Sequence, residues 1–334
     1  MMLAWSTRRL SSRSFSSSCL RWHENPLGLP RSGGPNPPPQ MPRRAGPIQK
    51  RPIPNVKRVV AVASGKGGVG KSTVAVNLAY ALSALRPPDS NARLRVGILD
   101  LDIFGPSIPT LMGLQNSEEP FLTSGGALIP LMNHGLATMS MGFLLPRPVD
   151  SNSTNDTPVV WRGLMVQKAV QQLLFDVDWR DARGLGLDVL VVDMPPGTGD
   201  VPLTSRAIGA VIVSTPQDVA LADVSKGIAM LRKVAVPVTG IVLNQSHFMC
   251  PGCETRHYLY GSPEGFRSTA ARLGVDVLAE LPLVPGVSRG GDSGLPYGLV
   301  SSSGQDGVGG SDWLMDMSRV AEKMWLSIGS KNVD

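Results

Sequence analysis

Short, continuous apolar runs alternate along this chain with segments whose apolar residues recur at helical spacing. The runs Val59–Ala63, Leu94–Leu99, Leu187–Val192, Ala210–Ser214, Val238–Leu243 and Val275–Leu281 have the length of buried strands. Between them, Ser72–Leu85, Leu164–Phe175, Lys226–Val234 and Trp313–Ile328 read as helices, with pairs such as Met165/Ala169 and Val170/Leu174 on one face. Strands without polar alternation are buried on both sides, so the pattern predicts an α/β fold with a mostly parallel sheet and helices on both faces. Two stretches break the rhythm, polar Pro146–Pro158 and the Gly/Ser-rich Val300–Ser311, and both read as surface insertions.

Composition narrows the class. The 334 residues are 42% hydrophobic and 17% charged, enough for one large packed domain. No apolar run approaches the roughly 18 residues that cross a bilayer. The net charge of +6 could suggest nucleic acid, but much of the basic excess precedes residue 60, so no nucleic-acid partner is expected. Residues 1–23 carry Arg8, Arg9, Arg13 and Arg21 among serines, with no acid before Glu24. That pattern reads as a mitochondrial transit peptide with the matrix as destination; a secretory signal would need a continuous apolar centre. Residues 24–55, rich in Pro and Gly, read as a linker, and 56–330 as the folded domain. Of the three cysteines, Cys19 falls in the presequence, which leaves Cys250 and Cys253 to the mature chain.

The first strand runs into Gly65-Lys66-Gly67-Gly68-Val69-Gly70-Lys71-Ser72-Thr73, and a helix follows. Glycines there let backbone N–H groups turn onto phosphate oxygens, and the helix N-terminus favours an anion. Lys71 is placed for the β- and γ-phosphates of ATP, Ser72 for Mg²⁺, and Thr73 for the α-phosphate. The chain is therefore expected to be a P-loop NTPase.

The additional lysine at Lys66 resembles the deviant Walker A ATPases, the SIMIBI or MinD-like branch of P-loop proteins. That resemblance implies a nucleotide-sandwich homodimer in which Lys66 reaches the partner's phosphates. It also implies roles for three residues at strand ends: Asp102 orients the attacking water, Asp193 acts on Mg²⁺, and Asn244 reads adenine. The turn Pro195–Asp200 matches a γ-phosphate sensor. Ligands of open parallel sheets gather at strand carboxyl ends, where these residues lie.

Cys250-Pro251-Gly252-Cys253 follows closely. Two thiolates supply half of a four-ligand site. A redox pair, a zinc site completed by His247 and His257, and a cluster shared by two chains all fit the spacing, and zinc leads on spacing alone. A deviant Walker A domain with a late Cys-x2-Cys is similar to the Mrp/Nbp family of iron–sulfur proteins, whose members hold a labile [4Fe–4S] cluster between subunits. The stretches Asp100–Pro109, Asp193–Asp200 and Pro216–Leu221 carry this resemblance over roughly residues 56 to 300. Met139–Leu144, Val160–Met165 and Cys250–Gly261 resemble its mitochondrial branch, required for assembly of respiratory complex I. The resemblance implies a slow ATPase that carries a cluster on Cys250 and Cys253 of each protomer to apo-subunits of complex I, with a weak association with the inner membrane. The alternative is a positioning ATPase like MinD or ParA, with Trp313–Ile328 as a membrane helix.

Overall fold

The computed structural model describes residues 51–87, 92–103, 105–144, 163–196, 209–300 and 308–329. Strand β1 (Val56–Ser64) leads into α1 (Lys71–Ala84), and β2 (Val96–Asp100) follows. Next come a short turn, α2 (Ile108–Leu111), the strands β3 (Leu131–Asn133) and β4 (Leu136–Ser140), and a 3-10 turn at Met141–Leu144. Then follow α3 (Gly163–Phe175), β5 (Leu187–Asp193), β6 (Gly209–Ser214), α4 (Asp218–Lys233) and β7 (Val238–Leu243). A small hairpin, β8 (Phe248–Met249) with β9 (Arg256–His257), precedes α5 (Glu264–Leu273) and β10 (Val277–Glu280). The described chain closes with α6 (Pro285–Asp292), α7 (Tyr297–Val300) and α8 (Gly310–Gly329).

The main sheet has the order β10-β7-β6-β1-β5-β2-β4-β3, and every pair is parallel except β3 with β4. This is the α/β arrangement that the apolar runs predict. Central strands such as β1 and β5 bury Val60, Val62, Val189 and Val191 completely, and β-branched side chains suit a sheet covered on both faces. Because β1, β2, β5, β6 and β7 run the same way, their carboxyl ends share one edge of the sheet. Residue Asp100 stands in register with Asp193 there.

Helix α8 packs against α1 and β10. Its buried stripe is Trp313, Met317, Val320, Ala321, Met324 and Ile328, and the Trp313 ring meets Tyr297 edge-on at 5.3 Å. Among the described residues, no helix is long and apolar enough to cross a membrane. The insertion expected at Pro146–Pro158 and part of the one at Val300–Ser311 lie outside the described residues, as do residues 1–50 with the expected transit peptide and most of the linker. Ile53, at the end of that expected linker, is buried in the core.

Candidate functional site

The loop from Gly65 to Thr73 lies between β1 and α1, and its backbone explains its glycines. Gly68 and Gly70 have φ of 79° and 81°, a conformation that strains any residue with a Cβ. Gly65 is glycine for a different reason, since a Cβ there would come within 2.6 Å of the Asp223 backbone on α4. Open space faces Gly67, where the phosphate cradle needs it. Asn244, at the end of β7, donates from Nδ2 to the Val69 carbonyl at 2.9 Å and braces the loop. The side chain that the resemblance assigns to adenine thus has its amide nitrogen committed to the protein's own backbone.

Lys71 is 6% exposed and forms an ion pair with Asp193. Its ammonium also lies 3.6 Å from Asp102 Oδ2 and 3.5 Å from Ser72 Oγ. The four side chains expected at the phosphates and the cation therefore converge. Burial pushes the Asp193 carboxyl up, and Lys71 opposes that shift. Its Oδ2 is buried without a hydrogen-bond partner among the described residues. An orphaned carboxylate oxygen beside a hydroxyl and a second carboxylate is a hard, all-oxygen donor set, which suits Mg²⁺.

Asp100 is a buried acid to which the sequence assigned no role. Burial, with Asp193 nearby, pushes its pKa up to about 7. It accepts hydrogen bonds from the Asp102 backbone N–H at 2.9 Å, Ser140 Oγ at 2.9 Å and the Ile108 N–H at 3.3 Å. Its task is to fix the turn that presents Asp102. The signal was its place in Asp100-Leu101-Asp102, at the carboxyl end of a buried strand.

Lys66 is tied within its own chain. Its Nζ donates to Gln217 Oε1 at 2.8 Å, and Ser64 Oγ donates to the Lys66 carbonyl at 2.9 Å. Gln217 precedes α4 and is a site neighbour that sequence reasoning passed over, although it lies in the Pro216–Leu221 stretch.

The cysteines occupy the turn of the β8–β9 hairpin. Cys250 N–H donates to the Thr255 carbonyl at 3.1 Å, and Glu254 N–H to the Cys250 carbonyl at 2.8 Å. The Sγ atoms of Cys250 and Cys253 and a ring nitrogen of His257 all lie within 4.8 Å of one another. Cys253 Sγ is 3.5 Å from His257 Nε2 and 2.9 Å from Thr255 Oγ1. Contacts with His257 and then Thr255 hold the Cys253 thiol down at about 6. Of the four ligands in the zinc alternative, three converge and His247 does not. His247 is buried, shares a hydrogen bond with Ser246 Oγ at 2.9 Å, and stays outside the ligand group. Burial lowers its pKa.

A nucleotide cradle thus shares a chain with an exposed dithiol turn. A family described as "ParA: NUBPL iron-transfer P-loop NTPase" matches residues 55–312. The chain belongs to this family. It is 48% identical over 271 residues to "Iron-sulfur cluster transfer protein NUBPL" from Mus musculus, covering 80% of this chain and 78% of that protein. It is 46% identical over 253 residues to "Iron-sulfur protein required for NADH dehydrogenase, mitochondrial" from Arabidopsis thaliana, covering 75% and 74%. Among solved structures it is similar to a nucleotide-binding protein from Archaeoglobus fulgidus in complex with ADP, with cobalt found by PIXE. That match has 34% identity and a TM-score of 0.57, and covers 73% of this chain and 88% of that one.

Proposed function

We propose that this NUBPL-family protein is a mitochondrial iron–sulfur cluster transfer protein that uses ATP to load and release a [4Fe–4S] cluster bound for complex I subunits. The observation that carries this reading is a Cys-x2-Cys turn offering two free thiols per chain, Cys253 exposed and Cys250 half-buried, downstream of a complete phosphate loop. A cubane cluster needs four ligands, so two protomers would each give Cys250 and Cys253. The names of the mouse and Arabidopsis relatives support the cargo, the mitochondrial address and the client. The ADP in the Archaeoglobus relative supports nucleotide binding at Gly65–Thr73. The matrix as compartment and residues 1–23 as its signal belong to the same reading.

Within the site, backbone N–H groups from Gly67 to Thr73 hold the phosphates, and Lys71 moves from Asp193 to the β- and γ-oxygens. Ser72 and Asp193 would hold Mg²⁺, which would supply positive charge against the phosphates. Asp102, set by Asp100, orients a water toward the γ-phosphate. Lys66 leaves Gln217 and crosses to the partner protomer's nucleotide. Adenine is read through Asn244 Oδ1, because Nδ2 supports the loop. Coupling to the cargo has a short route, since Asn244 braces the loop and Gln245–Met249 connect it to Cys250.

The test is anaerobic reconstitution with iron and sulfide. The parent protein should take up about four irons per dimer, and Cys250→Ala/Cys253→Ala should take up essentially none. A double variant that still loads a full complement would refute the assignment.

A further inference from the structure

The cysteine turn carries a third ligand that a shared cluster does not require. His257 is the register partner of Phe248 in the hairpin, so the β8–β9 pairing sets where its ring stands. A ring nitrogen and both thiol sulfurs lie within 4.8 Å of one another. We infer that Cys250, Cys253 and His257 form a three-ligand site on a single protomer for one borderline-soft divalent transition metal such as Zn²⁺ or Fe²⁺. Occupancy of that site excludes the shared cluster.

The distances support this. Around a tetrahedral centre with metal–sulfur bonds near 2.3 Å and metal–nitrogen bonds near 2.0 Å, adjacent sulfur and nitrogen ligands stand roughly 3.5 Å apart. Cys253 Sγ and His257 Nε2 are 3.5 Å apart. Cys250 Sγ lies within 4.8 Å of both, so a small adjustment of the three side chains completes the tetrahedral spacing. Thr255 Oγ1 touches both Cys253 Sγ at 2.9 Å and His257 Nε2 at 3.1 Å, and a metal would turn this hydroxyl aside. Two thiolates and an imidazole suit zinc, ferrous iron or cobalt and are poor ligands for Mg²⁺ or Ca²⁺. The fourth position faces solvent, because Cys253 and His257 are both exposed. An open position can accept water or a thiol from a donor or client.

The exclusion follows from ligand count. One metal on one protomer uses both thiolates that the protomer would give to the cluster, so the two occupancies compete. This competition rests on the cluster-carrier reading above, whereas the single-metal site does not.

The probe is Co²⁺ alone, added under anaerobic conditions to the reduced full-length protein. Absorption reports thiolate-to-cobalt charge transfer and the d–d bands of a tetrahedral site, while sedimentation reports mass. One cobalt per protomer is expected, without metal-driven dimerisation. His257→Ala should weaken cobalt at least tenfold and shift the d–d bands, and His257→Cys should restore affinity with stronger charge transfer. Melting temperature and circular dichroism of both variants check that the hairpin still folds. Prior Zn²⁺ should block iron and sulfide uptake by the parent and do so less well in His257→Ala. Unchanged cobalt affinity and spectrum in His257→Ala would reduce His257 to a hydrogen-bond partner and overturn the inference. One cobalt per two protomers would overturn it too. Either result leaves the cluster assignment to its own cysteine test.

Discussion

Two lysines five positions apart in the loop have opposite surroundings, and their substitutions should separate. Lys71 is buried against Asp193, so Lys71→Ala removes the phosphate contact and also strands a buried carboxylate. Breaking such a pair costs about 3 kcal/mol. We expect Lys71→Ala to abolish ATP binding by calorimetry and to lower the urea midpoint. Adding Asp193→Asn should recover much of the stability and none of the binding. Lys66 holds only a half-buried hydrogen bond to Gln217. Lys66→Ala should therefore change stability by less than about 1 kcal/mol and leave ATP binding by the protomer intact. It should instead abolish ATP-dependent dimerisation measured by sedimentation. A Lys66→Ala protein that dimerises normally with ATP would contradict the partner-reaching role.

At the scale of elements, the amino ends of three central strands are stitched by charge. Asp188 on β5 accepts from Lys57 on β1 at 2.9 Å and from Arg95, just before β2, through its backbone N–H and its guanidinium. Burial alone would raise the Asp188 carboxyl; Arg95 and Lys57 outweigh it and hold the pKa at about 2. The folded value is depressed below that of the unfolded chain. Its stabilisation is therefore complete above pH 4 and lost as pH falls toward 2. Asp188→Asn should cost at most about 2 kcal/mol at pH 7, with the gap to the parent narrowing between pH 4 and 2 in urea titrations. A gap that is constant across that range would show that packing, and not charge, joins these strands.

Elements with strong periodicity were legible in the sequence, and weakly patterned ones were not. The run Val238–Leu243 is β7 to the residue, because a strand buried on both faces leaves an unbroken apolar signature. Strand β4 escaped because it buries Thr138 and Ser140 among its apolar residues, and β3 has only three residues. Helix α5 buries little beyond Phe266 and Ala270, a stripe too thin to register. Helix α4 starts at Asp218, well ahead of the expected Lys226, because the apolar residues of its first turns are interrupted by Asp223 and Ser225. The phosphate-site residues were legible by motif. The spacing Cys250-x2-Cys253-x3-His257 already placed His257 with the thiols, and the short hairpin bears that out. The bond that ties Lys66 to Gln217 joins residues 151 positions apart, and no local pattern records it.

For the molecule as a whole, the last helix decides between a carrier and a positioning ATPase that docks on membranes. A membrane helix keeps its apolar face available to lipid. In α8 that face is spent: Trp313, Met317, Val320, Ala321, Met324 and Ile328 are buried against the domain. Arg58 reinforces the docking, its guanidinium 4.6 Å from the Trp325 ring centre. The apolar residues left outside, Met315 and Leu326, are isolated on a charged surface and amount to no lipid-binding stripe. Releasing the helix would expose five large or medium apolar side chains, Ala321 and the face of α1 beneath them. Burial of each full-sized side chain is worth about 2 kcal/mol, so the undocked state is too costly to serve as a routine switch. A chain ending at residue 309 should consequently aggregate or melt far below the parent. The full-length protein with ATP should not sediment with anionic phospholipid vesicles beyond its level with ADP. ATP-dependent vesicle binding that survives Cys250→Ala/Cys253→Ala would reverse this ranking, and would require α8 to leave a face to which the rest of the fold is fitted.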